Sequence, residues 1–171
     1  MKPRLEEKYY KEIVPAMKEK FGFQNNLRVP ALKKIVVNMG VGEAITDIKI
    51  LEKASEELGL ITGQKPLFRR AKKAIANFKI RQGVPIGVKV TLRKRIMYEF
   101  LDRLVNVALP RIRDFSGVPR NSFDKAGNYN IGISDQTIFP EIELDRISRP
   151  QGMNISLVLN SRSKEESMEL L

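Results

Sequence analysis

The sequence predicts an α+β fold, a split β-α-β arrangement in which an antiparallel sheet carries its helices on one face. Three observations predict it. Val84, Ile86, Val88, Val90 and Leu92 alternate with Pro85, Gly87, Lys89, Thr91 and Arg93, the period of a strand with one buried face. Apolar residues recur at helical spacing in three other stretches. The main elements run strand, helix, strand, strand, helix, strand, preceded by an extra helix and interrupted by a hairpin insertion. No internal repeat, low-complexity tract or second domain interrupts them, so residues 1–171 read as a single domain.

In order, Leu5, Tyr9, Ile13, Met17 and Phe21 predict an amphipathic helix that ends near Gly22 and is kinked at Pro15. Lys33 to Met39 (KKIVVNM) reads as a strand stopped by Gly40 and Gly42. Thr46 or Asp47 caps the next helix, which carries Ile48, Leu51, Ala54, Leu58 and Ile61 inward and Glu52, Glu56 and Glu57 outward until Gly63 ends it. Gln64 to Ala71 reads as a short second strand and residues 72–82 as a basic loop. Val84 to Arg93 is the clearest strand. Ile96, Phe100, Leu104 and Ala108, with Met97 and Leu101 beside them, make a third helix that Pro110 closes. A hairpin on Lys125-Ala126-Gly127-Asn128 follows, with Tyr129, Ile131 and Ile133 on its return strand. Met153 to Leu159 alternates as the last strand, and residues 163–171 read as a short terminal helix. Such an order gives a ferredoxin-like sheet whose second face stays open. That face should collect Asn38, Lys89, Thr91, Arg93, Asn154 and Ser156, side chains suited to hydrogen-bonding an RNA backbone or base edges.

Charge points the same way. From Leu58 to Tyr98, 41 residues contain no Asp or Glu but eleven cations: Lys65, Arg69, Arg70, Lys72, Lys73, Lys79, Arg81, Lys89, Arg93, Lys94 and Arg95. The other 130 residues carry 20 basic and 20 acidic side chains, so the net charge of +11 resides in this one stretch. A solvated face would intersperse acids, because like charges repel; concentrated cations attract a polyanion such as a nucleic acid.

The chain has no Cys, His or Trp. Disulfides, thiolate nucleophiles and Fe–S sites are thereby excluded, as are the usual neutral-pH general base and the commonest zinc ligand. Met1 to Tyr10 is charged and lacks an apolar core, so no signal peptide is expected, and no apolar run approaches the roughly 20 residues of a membrane helix. A soluble intracellular protein is the expectation.

Three motifs carry candidate chemistry. In Asn38-Met39-Gly40-Val41-Gly42-Glu43-Ala44, two glycines between a strand and a helix resemble a phosphate-cradling turn, but the third glycine of a dinucleotide motif is missing. A loop whose backbone approaches RNA and glycines that merely turn the chain both fit. In Gln64 to Arg81, cations interleave with Phe68 and Phe78. Phe68 lies in a strand and is expected in the core; Phe78 lies in a loop and is open to either role. Asp135, Glu141, Glu143 and Asp145 could hold Mg²⁺ for nuclease chemistry, yet no nucleophile, base or ligand spacing supports them. A basic membrane-surface protein fits less well, since the basic stretch alternates as a strand.

Several long blocks are recognisable: KKIVVNMGVGEA (33–44), ITGQKPLFRRAKKAIANFKIRQGVPIGVKVTLR (61–93), MYEFLDRLVNVALPRIRDFSGV (97–118) and SFDKAGNYNIGISDQTIFPEI (122–142). They resemble the bacterial ribosomal protein family numbered five in the large subunit, from about residue 5 to 160. The resemblance implies a non-catalytic, cytoplasmic constituent of the large subunit, with no cofactor, small-molecule substrate or membrane partner, that binds 5S rRNA and helps dock it in the central protuberance beside 23S rRNA. The family's 5S-contacting polar residues fall on Asn38, Gln64 and Thr91, with the turn at Gly40 and Gly42 beside them; Lys65, Arg69, Lys89 and Arg93 are the accompanying phosphate contacts. The loop with Lys72, Lys73, Phe78, Lys79 and Arg81 is expected to reach peptidyl-site tRNA. Residues from about 110 to 146, among them Arg111, Arg113, Asp114 and Asp145, are expected to meet a protein of the small-subunit head. Two departures stand out: Lys94-Arg95 occupies a place where many relatives have a glycine and an acid, and the tail after Leu159 differs from the threonine-rich ending of relatives.

Overall fold

The protein is described from a computed structural model covering residues 2–113, 115–142 and 149–171. The first helix, α1 (4–21), is α-helical over Arg4–Lys8 and Val14–Phe21 with a wider π turn, Tyr9–Ile13, between them. The π turn is how the helix accommodates Pro15, which has no N–H and whose ring presses on the preceding turn. Gly22 then ends it in the left-handed conformation (φ 68°). β1 (Leu32–Gly40) leads through a 3₁₀ turn, Gly42–Ile45, into α2 (Ile48–Thr62). Asp47, not Thr46, is the cap, its carboxylate accepting from the Lys49 N–H at 2.9 Å, and Gly63 (φ 66°) closes the helix. β2 (Leu67–Arg70) and β3 (Pro85–Leu92) follow. α3 (Lys94–Arg103) continues as a π turn, Leu104–Ala108, and a 3₁₀ turn, Leu109–Arg111, again placing the wide turn just ahead of a proline, Pro110. β4 (Tyr129–Ile133), β5 (Met153–Leu159) and α4 (Lys164–Leu170) complete the order.

The five strands form one antiparallel sheet in the order β2-β3-β1-β5-β4, with helices packing on it. This is the predicted split β-α-β order, to which the inserted strand β4 adds one edge. The outgoing arm of the insertion pairs only at an isolated bridge, Phe123 with Tyr129. Its turn is built on Asp124, whose carboxylate accepts from the Ala126 N–H, the Asn128 N–H and the Asn128 amide; the Asn128 side chain above all holds that carboxyl below its usual pKa.

Two compact units contribute to the sheet. One comprises Met1–Ile35, Leu92–Ile131 and Ser156–Leu171. Its core includes Met17, Ile35, Leu92, Met97, Phe100, Leu104, Ala108 and Leu157. The Tyr9 hydroxyl donates to the Pro30 carbonyl at 3.0 Å, and Arg28 meets Glu166 in a two-armed ion pair at 2.7 and 3.3 Å. The other unit comprises Val36–Thr91 and Gly132–Ile155, with Val37, Met39, Leu51, Ala54, Leu58, Ile61, Val88, Val90, Met153 and Ile155 buried.

Three expected core residues lie outside the core. Ile48 (53% exposed) occupies the first helical position of α2, and Ile96 (42%) flanks the buried stripe of α3, which runs through Met97 instead. Phe68 (42%) shares a face with fully buried Val88, but β2 is a four-residue edge strand with no neighbouring strand beyond it among the described residues to finish the burial.

Candidate nucleic-acid interface

In the unit containing residues 36–91 and 132–155, side chains of β1 and β3 alternate between a sealed and an open face. Val37, Met39, Val88 and Val90 are at most 2% exposed, whereas Asn38, Lys89 and Thr91 point the other way and are half-buried. Thr91 therefore sits on the open side, as the alternation predicts. β2 adds to the same face: Leu67 lies opposite Lys89, and Arg69 opposite Gly87. Asn154 on β5 is exposed beside Gly132. Gln64 and Lys65 are exposed just before β2, and the Gln64 carbonyl accepts from the Thr62 hydroxyl at 3.2 Å.

The turn after β1 lies in this unit too. The Val41 N–H donates to Ile86 O at 2.9 Å, and Thr46 returns both its N–H and its hydroxyl to Glu43 O, at 3.0 and 2.8 Å. Gly40 and Gly42 are exposed, neither takes a positive φ, and a Cβ built on either meets no described atom within 4 Å. The fold itself does not demand glycine at these two positions.

The basic loop closes on itself at its base and near its tip. Ala71 and Val84 pair at 2.8 Å, Gly83 donates to Ala71 at 2.9 Å, and Ile75 and Ile80 form a bridge further out. Ala76–Phe78 makes a 3₁₀ turn that Lys79 ends at φ 54°. Lys72, Lys73, Lys79 and Arg81 all face solvent, and Phe78 is 68% exposed, which settles its position outside the core.

Among the described residues, only Arg95 of the eleven cations between Leu58 and Tyr98 forms an ion pair, with Glu99 at 2.7 Å. The other ten have no carboxylate partner there. In the unit containing residues 92–131, Arg93 is exposed in extended conformation ahead of α3, and Arg111 and Arg113 are exposed after it. Ser156, counted on the open face, donates to the Asn130 side chain at 2.6 Å.

Of the acidic candidates, Asp135 caps the 3₁₀ turn Gln136–Ile138 through the Thr137 N–H at 2.8 Å, and Glu141 is half-buried. Glu143 and Asp145, like Asp114 of the expected intersubunit surface, lie outside the described residues. No group of three His, Cys, Asp or Glu able to hold a metal ion occurs among the described residues, and no described helix is long and apolar enough to cross a membrane.

Sequence reasoning missed a polar network that reaches the glycine turn. Gln136 is fully buried; its amide donates to Glu57 Oε2 at 3.2 Å and to the Arg149 carbonyl at 3.1 Å, and its oxygen accepts from the Gln151 N–H at 2.5 Å. Burial raises the Glu57 carboxyl above its usual pKa, and the Gln136 hydrogen bond partly offsets that rise. From the segment so held, Arg149 pairs with Glu43 while the Gln151 amide donates to the Gly40 carbonyl at 3.1 Å. These partners are 106 and 111 residues apart in sequence, so no local pattern announces them.

Comparison with known proteins places the chain in a family. Residues 25–81 match the family described as ribosomal protein L5, and residues 85–171 match the ribosomal L5P family C-terminus. The large ribosomal subunit protein uL5 of Clostridium botulinum strain Loch Maree is 60% identical over 171 residues, all of this chain and 95% of the relative. Its namesake from Clostridium acetobutylicum is 57% identical over the same span. The chain therefore belongs to the ribosomal protein L5 family.

Proposed function

We propose that this protein is a non-catalytic constituent of the large ribosomal subunit that acts as one RNA-binding domain in the cytoplasm, gripping 5S rRNA with the open sheet face and docking it beside 23S rRNA. The observation that carries the reading is the set of ten cations between Lys65 and Lys94 that have no carboxylate partner among the described residues. Unneutralised charge at that density destabilises a lone protein and is relieved when phosphates neutralise it. Asn38, Gln64 and Thr91 supply hydrogen bonds, Lys65, Arg69, Lys89 and Arg93 meet phosphates, and Gly40 and Gly42 admit the RNA to the backbone. The basic loop, with Lys72, Lys73, Phe78, Lys79 and Arg81 exposed, reaches peptidyl-site tRNA, and the surface carrying Arg111 and Arg113 meets a protein of the small-subunit head.

Filter binding to a 5S rRNA transcript tests the reading. With five or six phosphates neutralised, log K should fall with log salt at a slope of roughly −4 to −5. Asn38→Ala and Thr91→Ala should each lose about 1–3 kcal/mol, the scale of a hydrogen-bonding group left unsatisfied at a buried interface, and mainly for the cognate RNA. Unchanged affinity in both variants refutes the open face as the binding surface. Cleavage of labelled RNA in Mg²⁺ that stops on chelation would instead favour a nuclease.

A further inference from the structure

We infer that Arg149 and Gln151 are positioning residues for the glycine turn: they make no contact with RNA, but hold Gly40 and Glu43 in the one arrangement that RNA meets. The inference rests on the proposal that RNA approaches the backbone at Gly40 and Gly42.

Bonds from the Val41 N–H to Ile86 O and from Thr46 to Glu43 O hold the backbone of the turn, but they reach neither the Gly40 carbonyl nor the Glu43 side chain. Gly40 and Gly42 have no side chains to anchor, and the 3₁₀ segment Gly42–Ile45 is a single turn. The Gly40 carbonyl and the Glu43 side chain are anchored from the stretch 149–151. Gln151 Nε2 donates to the Gly40 carbonyl at 3.1 Å and to Gly152 O at 3.2 Å. Arg149 uses both arms, Nη1 on the Glu43 carboxylate and Nη2 on Gln151 Oε1 at 3.0 Å. One guanidinium thus ties the carboxylate at one end of the turn to the amide that grips the other end, a geometry that lysine's single ammonium does not reproduce. The clamp is itself immobilised: buried Gln136 holds the backbone on both sides of Pro150, at Arg149 O and Gln151 N. Arg149 also has an electrostatic task. The Glu43 side chain is 62% exposed beside the turn, and an unneutralised carboxylate there would repel an incoming phosphate.

The experiment measures 5S rRNA affinity across a salt series for the full chain and for Gln151→Ala, Arg149→Met, Arg149→Lys, Glu43→Gln, the double variant Arg149→Met with Glu43→Gln, and Gly42→Ala. Amide exchange is followed at Ala44 and Thr46, with β5 amides as the folding control. Gln151→Ala, an uncharged change, should weaken binding on the order of fivefold to tenfold, the effect of losing one hydrogen bond, with the salt slope unaltered. It should also speed exchange at Ala44 and Thr46 while β5 stays protected. Arg149→Lys should fall between the full chain and Arg149→Met, and adding Glu43→Gln to Arg149→Met should recover part of the loss. Two results overturn the assignment: Gln151→Ala binding like the full chain, or Arg149→Met lowering the slope by the ~0.7–0.9 of one neutralised phosphate, which would make Arg149 a direct contact. Gly42→Ala separates the two levels. If it binds normally, RNA does not use the turn, and the underlying reading falls with the inference. If it binds weakly while Gln151→Ala is normal, only the positioning role falls.

Discussion

A Cβ placed on Gly87 would lie 2.7 Å from the carbonyl oxygen of Met39, closer than real side chains approach a backbone. β3 passes β1 at this point so tightly that only glycine fits, and Gly87 is buried although it stands on the open face. Gly42 is the contrast: it has nothing described within 4 Å of its missing Cβ, so packing requires glycine at one position and not at the other.

Gly87→Ala should therefore destabilise the fold by about 1–3 kcal/mol, the range for overpacking a site that cannot yield. Gly42→Ala should stay within about 0.5 kcal/mol of the parent. Urea midpoints at unchanged slope measure both, and equal effects would erase the distinction between the two glycines.

Lys94 begins α3 at φ 53°, the left-handed region that L-residues avoid. The conformation costs roughly 1–2 kcal/mol for a residue with a Cβ, while glycine gives back about 0.4–1 kcal/mol through its freer unfolded chain. The first effect is larger. Lys94→Gly should raise stability by up to about 1.5 kcal/mol on this difference, and Lys94→Ala, which keeps the Cβ, should not. A lower urea midpoint for the glycine variant would show that other contacts fix this backbone.

What was legible in the sequence was local. Asp47 and Gly63 mark the ends of α2 through hydrogen bonds and dihedrals that involve only near neighbours, and Met153 to Leu159 declares its buried face by alternation alone. Phe68 shows where that logic stops: alternation names its face correctly, but burial requires a neighbouring element, and the edge of the sheet supplies none. Ile96 and Met97 are neighbours in sequence, and helical spacing alone does not say which of the two stripes they begin is the buried one. At the candidate interface, Asn38 and Thr91 were readable because a strand fixes their direction. Arg149 and Gln151 were not, because their partners arrive through the tertiary fold.

Replacing Lys72, Lys73, Lys79 and Arg81 together by Ala removes four exposed cations from a loop whose base is held by backbone bonds at Ala71, Gly83 and Val84. Those bonds use no side chain, so the fold should survive and 5S rRNA affinity should remain largely intact. Retention of peptidyl-site tRNA by ribosomes carrying the variant should fall. Lost 5S binding with normal tRNA retention would reverse the assignment of loop and sheet face.

The pair Arg28 and Glu166 predicts a pH dependence. Glu166 is 6% exposed, and hydrogen bonds from Arg28 above all hold its carboxyl below the usual value of 4.5 against the opposing effect of burial. A carboxyl whose folded pKa is depressed adds stability above its unfolded pKa and loses it as pH falls through the folded value. Arg28→Met should thus cost about 1.5–3 kcal/mol near neutral pH, the worth of hydrogen bonds to a charged group. Its difference from the parent should shrink as pH drops below the unfolded value of 4.5, where Glu166 takes up a proton. The Arg28 guanidinium also lies 4.9 Å from the centre of the Phe23 ring, a contact that does not titrate with Glu166. Urea titrations of both proteins across the acid range distinguish the two contributions: a difference that narrows on acidification assigns the stability to the ion pair, and one that stays constant assigns it to the ring.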